Sequence, residues 1–160
     1  NIADTDLAEM KKVVDTNLFG AFNVVKEALP HLRQHKRSDV QFISSMSPHI
    51  TPVGHGPYAS AKAALETLGK VLAREEMPNG VRVNTIACGV VDTEMGQRLV
   101  QANMGEALEN AGDAFPFGRV CLPEDVGNLC VFLASDKGSY IAGHTIFLDG
   151  GDPVGVGKES

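Results

Sequence analysis

The chain has 160 residues, enough for one domain with a substantial core, and its 43% hydrophobic and 21% charged residues are close to globular averages. Its net charge of −6 argues against nucleic acid or an anionic membrane as a partner, because both attract basic surfaces. Neither a signal-peptide pattern nor an apolar run of the roughly 18 residues that span a bilayer is present, so we expect a cytoplasmic protein.

Hydrophobic periodicity predicts helices that alternate with short apolar strands. The predicted helices span 6–36, 57–76 and a segment from about 123, and the predicted strands span 40–45, 81–86 and 144–148. Asp6 and Glu9 have capping-box spacing, and Pro30 is expected to bend the first helix. Residues 46–57 read as a loop and 92–118 as irregular or weakly helical chain. The alternation predicts one α/β domain over 1–160 with a parallel sheet and a flexible tail over 153–160.

Tyr58 and Lys62 are the first candidates for chemistry. Their spacing of four puts both side chains on one face of the predicted second helix. A lysine ammonium favours the phenolate, so it lowers the pKa of a tyrosine toward values useful for proton transfer. Such a pair also occurs by chance on many helix surfaces. Ser45, at the carboxyl end of the predicted buried strand, makes the site more specific, because ligands of parallel sheets bind beyond these strand ends.

Eight motifs along the chain strengthen this hypothesis. They are Asn-Leu-Phe-Gly at 17–20, Ile-Ser-Ser at 43–45, Tyr-Ala-Ser-Ala-Lys at 58–62, Val-Arg-Val-Asn-Thr-Ile at 81–86, Cys-Gly-Val-Val-Asp-Thr at 88–93, Pro-Glu-Asp-Val at 123–126, Phe-Leu-Ala-Ser-Asp at 132–136 and Leu-Asp-Gly-Gly at 148–151. In this order and spacing the chain resembles the short-chain dehydrogenase/reductase family, in its 3-oxoacyl-carrier-protein reductase and glucose dehydrogenase branch. The resemblance implies a Rossmann-like doubly wound parallel sheet.

The resemblance also assigns roles. It implies that Tyr58 is the general acid/base, Lys62 lowers the pKa of Tyr58 and binds the nicotinamide ribose, and Ser45 holds the substrate oxygen. It further implies that Asn17 holds a water in a proton relay behind Lys62; the alternative is a helix asparagine that bonds the backbone. The implied cofactor-binding residues are Tyr58, Lys62, Gly89, Val91 and Thr93. The substrate would be a small secondary alcohol or ketone, and the cofactor NAD or NADP.

Two departures from the family pattern limit these expectations. Cysteine at position 88 stands where the family usually has proline, and we expect its thiol to be inert and buried. The family's glycine-rich phosphate loop and its NAD/NADP selector residue are not found in the chain. We therefore expect the N-terminal nucleotide-binding βαβ units to be missing, which leaves the edge of the first strand bare. A folded, self-associating remnant without redox activity stays an alternative to an active oxidoreductase.

The remaining expectations concern assembly and the loops. The resemblance implies a homodimer or homotetramer through the two long helices. His49 and His55 lie in the loop before Tyr58, either near substrate or simply at the surface. His31 and His35 lack a third ligand, so no metal site is expected. Apolar residues of 94–115 form either a substrate lid or a self-packed loop.

Overall fold

The computed structural model of the chain describes residues 1–105 and 107–151, and within them a three-stranded parallel sheet has the order β1-β2-β3. The strands are β1 Ser38–Ser45, β2 Val81–Cys88 and β3 Thr145–Leu148. The sheet confirms the predicted α/β class, with β1 beginning two residues earlier and β2 ending two residues later than predicted. β1 is an outer strand of the described sheet. The predicted tail, 153–160, lies outside the described residues.

Helices cover both faces of this sheet. They are α1 Leu7–Val14, α2 Gly20–Leu32, α3 Ser47–Ile50, α4 Gly56–Glu76, α5 Glu94–Met104 and α6 Pro123–Ala134. The main core forms where Phe42 and Val83 of the sheet meet Leu65 and Leu72 of α4. Ile86 points to the opposite face, where it packs with Leu133 of α6. No helix in the described ranges is long and apolar enough to cross a membrane.

The first predicted helix, 6–36, is wrong in its end, and its interior contains a π-helical turn that was not predicted. Asp6 caps α1 as predicted, because its carboxylate accepts from the Glu9 N–H at 2.7 Å. A π-helical turn at Asp15–Phe19 then separates α1 from α2. α2 ends at Leu32 because the chain turns toward β1, and the Ser38 hydroxyl donates to the Leu32 carbonyl at 2.8 Å.

Two segments whose sequences show no clear hydrophobic periodicity contain helices. Residues 46–57 include the short helix α3, and 92–118 include α5, which has three turns. The Thr93 hydroxyl caps α5 by accepting from the Gly96 N–H at 3.2 Å, and Gly105 ends it with φ 73°. Glycines in this segment therefore serve helix packing and termination. Their number alone suggested irregular chain.

A buried carboxylate at the end of α4 predicts a pH-dependent stability. Glu76 accepts from Arg33 Nε at 2.9 Å and from Asn79 at 3.0 Å. The hydrogen bond from Arg33 holds the pKa of Glu76 below its usual value of 4.5. A lowered folded-state pKa gives stability that is present above the unfolded-state pKa and is lost as pH falls through the folded value. We therefore expect Glu76→Gln to flatten the loss of unfolding free energy below about pH 4.5.

Urea unfolding at pH 7 and pH 3 measures this difference. Glu75→Gln is the matched control, because Glu75 is the exposed neighbour of Glu76 on α4. The control should keep the wild-type pH dependence. A Glu76→Gln protein that loses stability as steeply as the wild type between the two pH values would contradict the prediction.

Candidate active site

The carboxyl ends of the three strands border a cleft of about 460 Å³. Ser45 of β1 pairs with Cys88 of β2, and Cys88 pairs with Leu148 of β3, so three strand ends lie in one row. Ser45, Ser47, His55 and Gly89 line the cleft on one side, and Met104 and Phe115 contribute apolar walls. This is the place where open parallel sheets bind their ligands.

Three of the predicted catalytic residues meet beside this cleft. Pro57 lies in the first turn of α4, which suits proline, and Tyr58 and Lys62 follow one turn apart. Lys62 Nζ lies 5.6 Å from the centre of the Tyr58 ring and donates to the Ile43 carbonyl at 2.9 Å. Ser45 ends the strand to which Ile43 belongs, and its hydroxyl acts to lower the pKa of Tyr58. The structure therefore brings Ser45, Tyr58 and Lys62 together.

In the chain without a ligand, the pKa of Tyr58 is not lowered, so this prediction is wrong there. Burial of Tyr58 raises its pKa above the ordinary value of 10.0, and the neighbouring Ser45 hydroxyl acts in the opposite direction by favouring the phenolate. Burial also lowers the pKa of Lys62. Desolvation disfavours the charged form of both groups. The spacing of four residues predicted the contact correctly, but it carried no information about the burial that sets these pKa values.

Asn17 lies in the π-helical turn, and no hydrogen bond joins it to Lys62 in the described part of the chain. Its side-chain amide donates to the Val13 carbonyl at 3.0 Å, which matches the alternative of a helix asparagine that bonds the backbone. π-helical turns interrupt helices at functional sites more often than elsewhere. The turn packs on α4.

The predicted cofactor-binding residues follow β2. The Gly89 N–H donates to the Leu148 carbonyl at 3.0 Å, and a Cβ on Gly89 would lie 3.2 Å from Asp149 Cα. Val91 forms a parallel bridge with Cys121, made by the Asp92 N–H and the Val90 carbonyl. In this geometry the N–H and carbonyl of Val91 itself point to the other side.

Thr93 and the apolar segment after it complete this side of the site. The Thr93 side chain is exposed, and its hydroxyl donates to the Val91 carbonyl at 3.3 Å. Met104 and Phe115 pack into a small cluster of their own and also line the cleft. These two residues therefore pack as the self-packed alternative predicts and also border the cleft, whereas Met95 is exposed; the substrate lid stays a prediction.

One buried cluster escaped the sequence analysis. Glu66 is 5% exposed and accepts from the Ser44 hydroxyl at 2.7 Å, and His49 Nε2 lies 3.1 Å from both of its carboxylate oxygens. Glu66 follows Lys62 by one helical turn on the same face of α4. The only hint of this cluster in the sequence is a glutamate at a helix position that the structure shows to be buried. The cluster ties β1, α3 and α4 together next to the site.

Cys88 is buried at 6% exposure and lines the cleft. Burial raises its pKa to about 11, so the thiol stays protonated near neutral pH. Since the thiolate is the reactive form, this environment favours an inert thiol.

Comparison with known proteins identifies the family. A family model described as Enoyl-(Acyl carrier protein) reductase matches residues 1–152. The chain is 33% identical over 153 residues to a 3-oxoacyl-(acyl-carrier-protein) reductase of Thermotoga maritima, with 92% of this chain and 61% of that protein covered. It is 35% identical over 150 residues to an NADPH-dependent aldehyde reductase-like protein of Arabidopsis thaliana, with 94% and 54% covered.

A solved structure shares the fold. An oxidoreductase of the short chain dehydrogenase/reductase family from Burkholderia thailandensis superposes with a TM-score of 0.83 at 30% identity, over 94% of this chain and 59% of that one. The chain spans 54% to 61% of the length of the two curated relatives. Because the family model covers nearly the whole chain and the relatives agree with it, the chain belongs to the short-chain dehydrogenase/reductase family.

Proposed function

We propose that the protein is an NAD(P)-dependent oxidoreductase that interconverts a secondary alcohol and a ketone, with Tyr58 as general acid/base. The observation that carries the proposal is the meeting of Ser45, Tyr58 and Lys62 at the carboxyl edge of a parallel sheet, beside a cleft of about 460 Å³. The names of the relatives, a reductase and an NADPH-dependent reductase-like protein, support the same reaction class.

The groups around the site fit the nicotinamide-ribose end of NAD(P). Lys62 has three N–H donors, of which one binds the Ile43 carbonyl, and the other two would donate to ribose hydroxyls. The Val91 N–H points away from the bridge to Cys121 and would donate to the carboxamide oxygen, whereas the Val91 carbonyl accepts from the exposed Thr93 hydroxyl. A bound NAD(P) would supply or accept the hydride. The choice between NAD and NADP stays open.

The chain's own residues would handle the substrate oxygen and its proton. The Ser45 hydroxyl would orient the oxygen by donating a hydrogen bond, and Tyr58 would donate the proton to a ketone or remove it from an alcohol. The positive charge of Lys62 would favour the phenolate during the reaction. The walls made by Met104 and Phe115 would exclude water and accept an apolar part of the substrate.

The proposed assembly is a homodimer or homotetramer through the long helices. Phe19 of the π-helical turn and Phe22 of α2 are 51% and 40% exposed, and Val71 of α4 is 47% exposed. Exposed apolar side chains grouped on helices favour burial against another chain.

A fluorescence titration of the purified protein with NADH and NADPH tests the proposal. We expect saturable binding of at least one of them within the concentrations of about 1 μM to 1 mM that KM values of enzymes span. Lys62→Met should weaken binding by about tenfold or more, since it removes a charge-assisted hydrogen-bond donor. Lys70→Met is the matched control, because Lys70 is exposed on the same helix. Equal binding by the two variants would contradict the role of Lys62.

The second candidate is a folded chain that self-associates without redox activity. The exposed apolar side chains of Phe19, Phe22 and Val71 favour it, because such side chains promote association with another chain. Absence of binding to both cofactors, in a sample whose mass is verified, would support this candidate over the oxidoreductase.

A further inference from the structure

Glu66 contacts the chain on both sides of Ser45. The Ser44 hydroxyl donates to Glu66 Oε1 at 2.7 Å, and His49 Nε2 lies 3.1 Å from both oxygens of the same carboxylate. Ser44 immediately precedes Ser45 in β1, and His49 belongs to α3, which follows it. Glu66 and Ser44 are 5% and 4% exposed, so water competes little for the hydrogen bond between them.

The register of the sheet places this cluster over the ends of the strands. Ser44 of β1 pairs with Ala87 of β2, and Ala87 pairs with Phe147 of β3, so the three side chains lie in one row on one face. The His49 ring packs edge-on against the Phe147 ring, with the ring centres 4.6 Å apart. The imidazole is therefore held between Glu66 of α4 and Phe147 of β3.

The position of α3 bears directly on the Ser45 hydroxyl. The Ser47 N–H, at the start of α3, donates to Ser45 Oγ at 3.1 Å, and the Ser47 hydroxyl oxygen lies 3.3 Å from the same atom. A hydroxyl oxygen that accepts a hydrogen bond is polarised, which makes its own O–H a stronger donor. The place of α3 therefore affects how Ser45 would donate to a substrate oxygen.

α3 depends on outside contacts for its place. It has four residues, fewer than an isolated helix needs for stability, and it ends at Thr51 with a φ of 46°. A residue other than glycine stays in this left-handed region only where surrounding contacts hold it there. The Met46 N–H fixes the start of α3 by donating to the Cys88 carbonyl at 2.9 Å, and His49 fixes its body through Glu66.

We propose that Glu66 is a positioning residue for catalysis. Through Ser44 and His49 it holds α3 so that the Ser47 N–H stays on Ser45 Oγ and the Ser45 hydroxyl is directed to the substrate oxygen. Ser45 and Ser47 line the cleft, whereas Glu66 is not among its lining residues and acts through them. The inference rests on the proposed function, because the position of Ser45 matters to catalysis only where Ser45 binds the substrate.

Steady-state kinetics of the protein in its full-length natural form test the catalytic part of the proposal. Ethyl acetoacetate, cyclohexanone and 2-octanone serve as ketones, each with NADH and with NADPH. Glu66→Leu keeps an apolar side chain of similar size but removes both acceptors. We expect its kcat to fall about 10- to 100-fold with KM changed less than about threefold, because a displaced hydroxyl loses its interaction mainly in the transition state.

Glu66→Gln is the conservative variant. Its amide oxygen accepts from the Ser44 hydroxyl, and its NH₂ group donates to His49 Nε2 when the imidazole carries its hydrogen on Nδ1. Its kcat should therefore stay within a few-fold of wild type, which a role based on the negative charge alone does not predict. Glu75→Leu is the matched control, because Glu75 is exposed on the same helix, and it should leave kcat unchanged.

His49→Leu tests the link through α3 from its other end. It should lower kcat about as much as Glu66→Leu, and the double variant should lose no more than either single variant, because both remove one contact. The His49 side chain is 32% exposed, so this variant carries the test if Glu66→Leu does not fold. Far-UV circular dichroism of each variant establishes which of them are folded.

Hydrogen exchange of the Ser47 amide tests the positioning itself without any substrate. The Ser47 N–H is protected by Ser45 Oγ in the wild type, and we expect its exchange to be at least about tenfold faster in Glu66→Leu and in His49→Leu. Glu66→Gln and Glu75→Leu should keep the wild-type rate.

The outcomes separate the positioning role from the function on which it rests. If Tyr58→Phe abolishes turnover while folded Glu66→Leu or His49→Leu keeps kcat within about twofold of wild type, the proposed function stands and the positioning role is overturned. An unchanged exchange rate of the Ser47 amide in these two variants also overturns it, as does an equal fall of kcat in Glu66→Gln and Glu66→Leu. Absence of turnover of every ketone by the wild type overturns the proposed function, and the catalytic role of Glu66 with it.

Discussion

Replacement of Tyr58 by phenylalanine is expected to lower kcat by about 10²- to 10⁴-fold, the range that a general acid/base contributes. The substitution removes only the phenolic oxygen, so the half-buried ring keeps its packing at the start of α4. The chain offers a matched control in Tyr140, which is its other tyrosine and is fully exposed. Tyr140→Phe should leave kcat unchanged. A Tyr58→Phe enzyme that retained more than about a tenth of the wild-type kcat would contradict the proposed role.

The pH dependence of the same reaction follows from the direction of the Tyr58 pKa. Burial raises this pKa above 10.0 in the chain by itself. Alcohol oxidation needs the phenolate, which is populated as pH rises toward that pKa, whereas ketone reduction needs the phenol, which predominates below it. We therefore expect the kcat of oxidation to increase with pH through the neutral and alkaline range. A rate that falls as pH rises from 7 to 9 in the oxidation direction would be inconsistent with Tyr58 as the base.

Replacement of Gly96 by alanine is expected to destabilise the protein by about 2 kcal/mol or more, because overpacking against rigid groups costs about 1–3 kcal/mol. An ideal Cβ at Gly96 would lie 1.9 Å from the Val91 carbonyl oxygen, which is a backbone atom. Either α5 or Val91 must move to relieve this contact. Since Val91 is a proposed cofactor-binding residue, NAD(P)H affinity should fall together with stability.

Gly127→Ala provides the control for the Gly96 substitution. Gly127 lies in α6, is exposed, and has no atom within 4 Å of an added Cβ. Alanine should stabilise this helix by about 0.5–1 kcal/mol relative to glycine. Thermal unfolding and cofactor titration of both variants measure the contrast. A Gly96→Ala protein as stable as the wild type would contradict the close approach of α5 to the Val91 carbonyl.

Local spacing predicted the parts of the site that depend on a single element. Tyr58 and Lys62 share a face of α4 because four residues make about one helical turn, and Ser45 ends a buried strand that the apolar residues of 40–45 indicate. The parallel sheet followed from the alternation of helices and strands. These features need only periodicity and turn chemistry.

Contacts between distant elements were beyond the sequence analysis. The Lys62 ammonium binds the carbonyl of Ile43, and Glu66 joins His49 to Ser44 across three elements. Hydrophobic periodicity places a residue on a face but does not say which polar group it meets there. The π-helical turn at Asp15–Phe19 was missed for a related reason. Its residues have ordinary helical propensity, and the turn lies where this helix packs on α4.

The register of the sheet has a consequence for the order in which the site is assembled. Paired residues of β1 and β2 are about 40 positions apart along the chain, and those of β2 and β3 about 60, so each pairing closes a long loop. Loop closure costs entropy before the new contacts compensate for it, and such non-local pairings slow folding. α4 needs only local hydrogen bonds over its 21 residues. In a refolding chain we therefore expect Tyr58 and Lys62 to share a face of α4 before β1 brings Ser45 to them, so that the proposed catalytic site would be among the last parts of the chain to form.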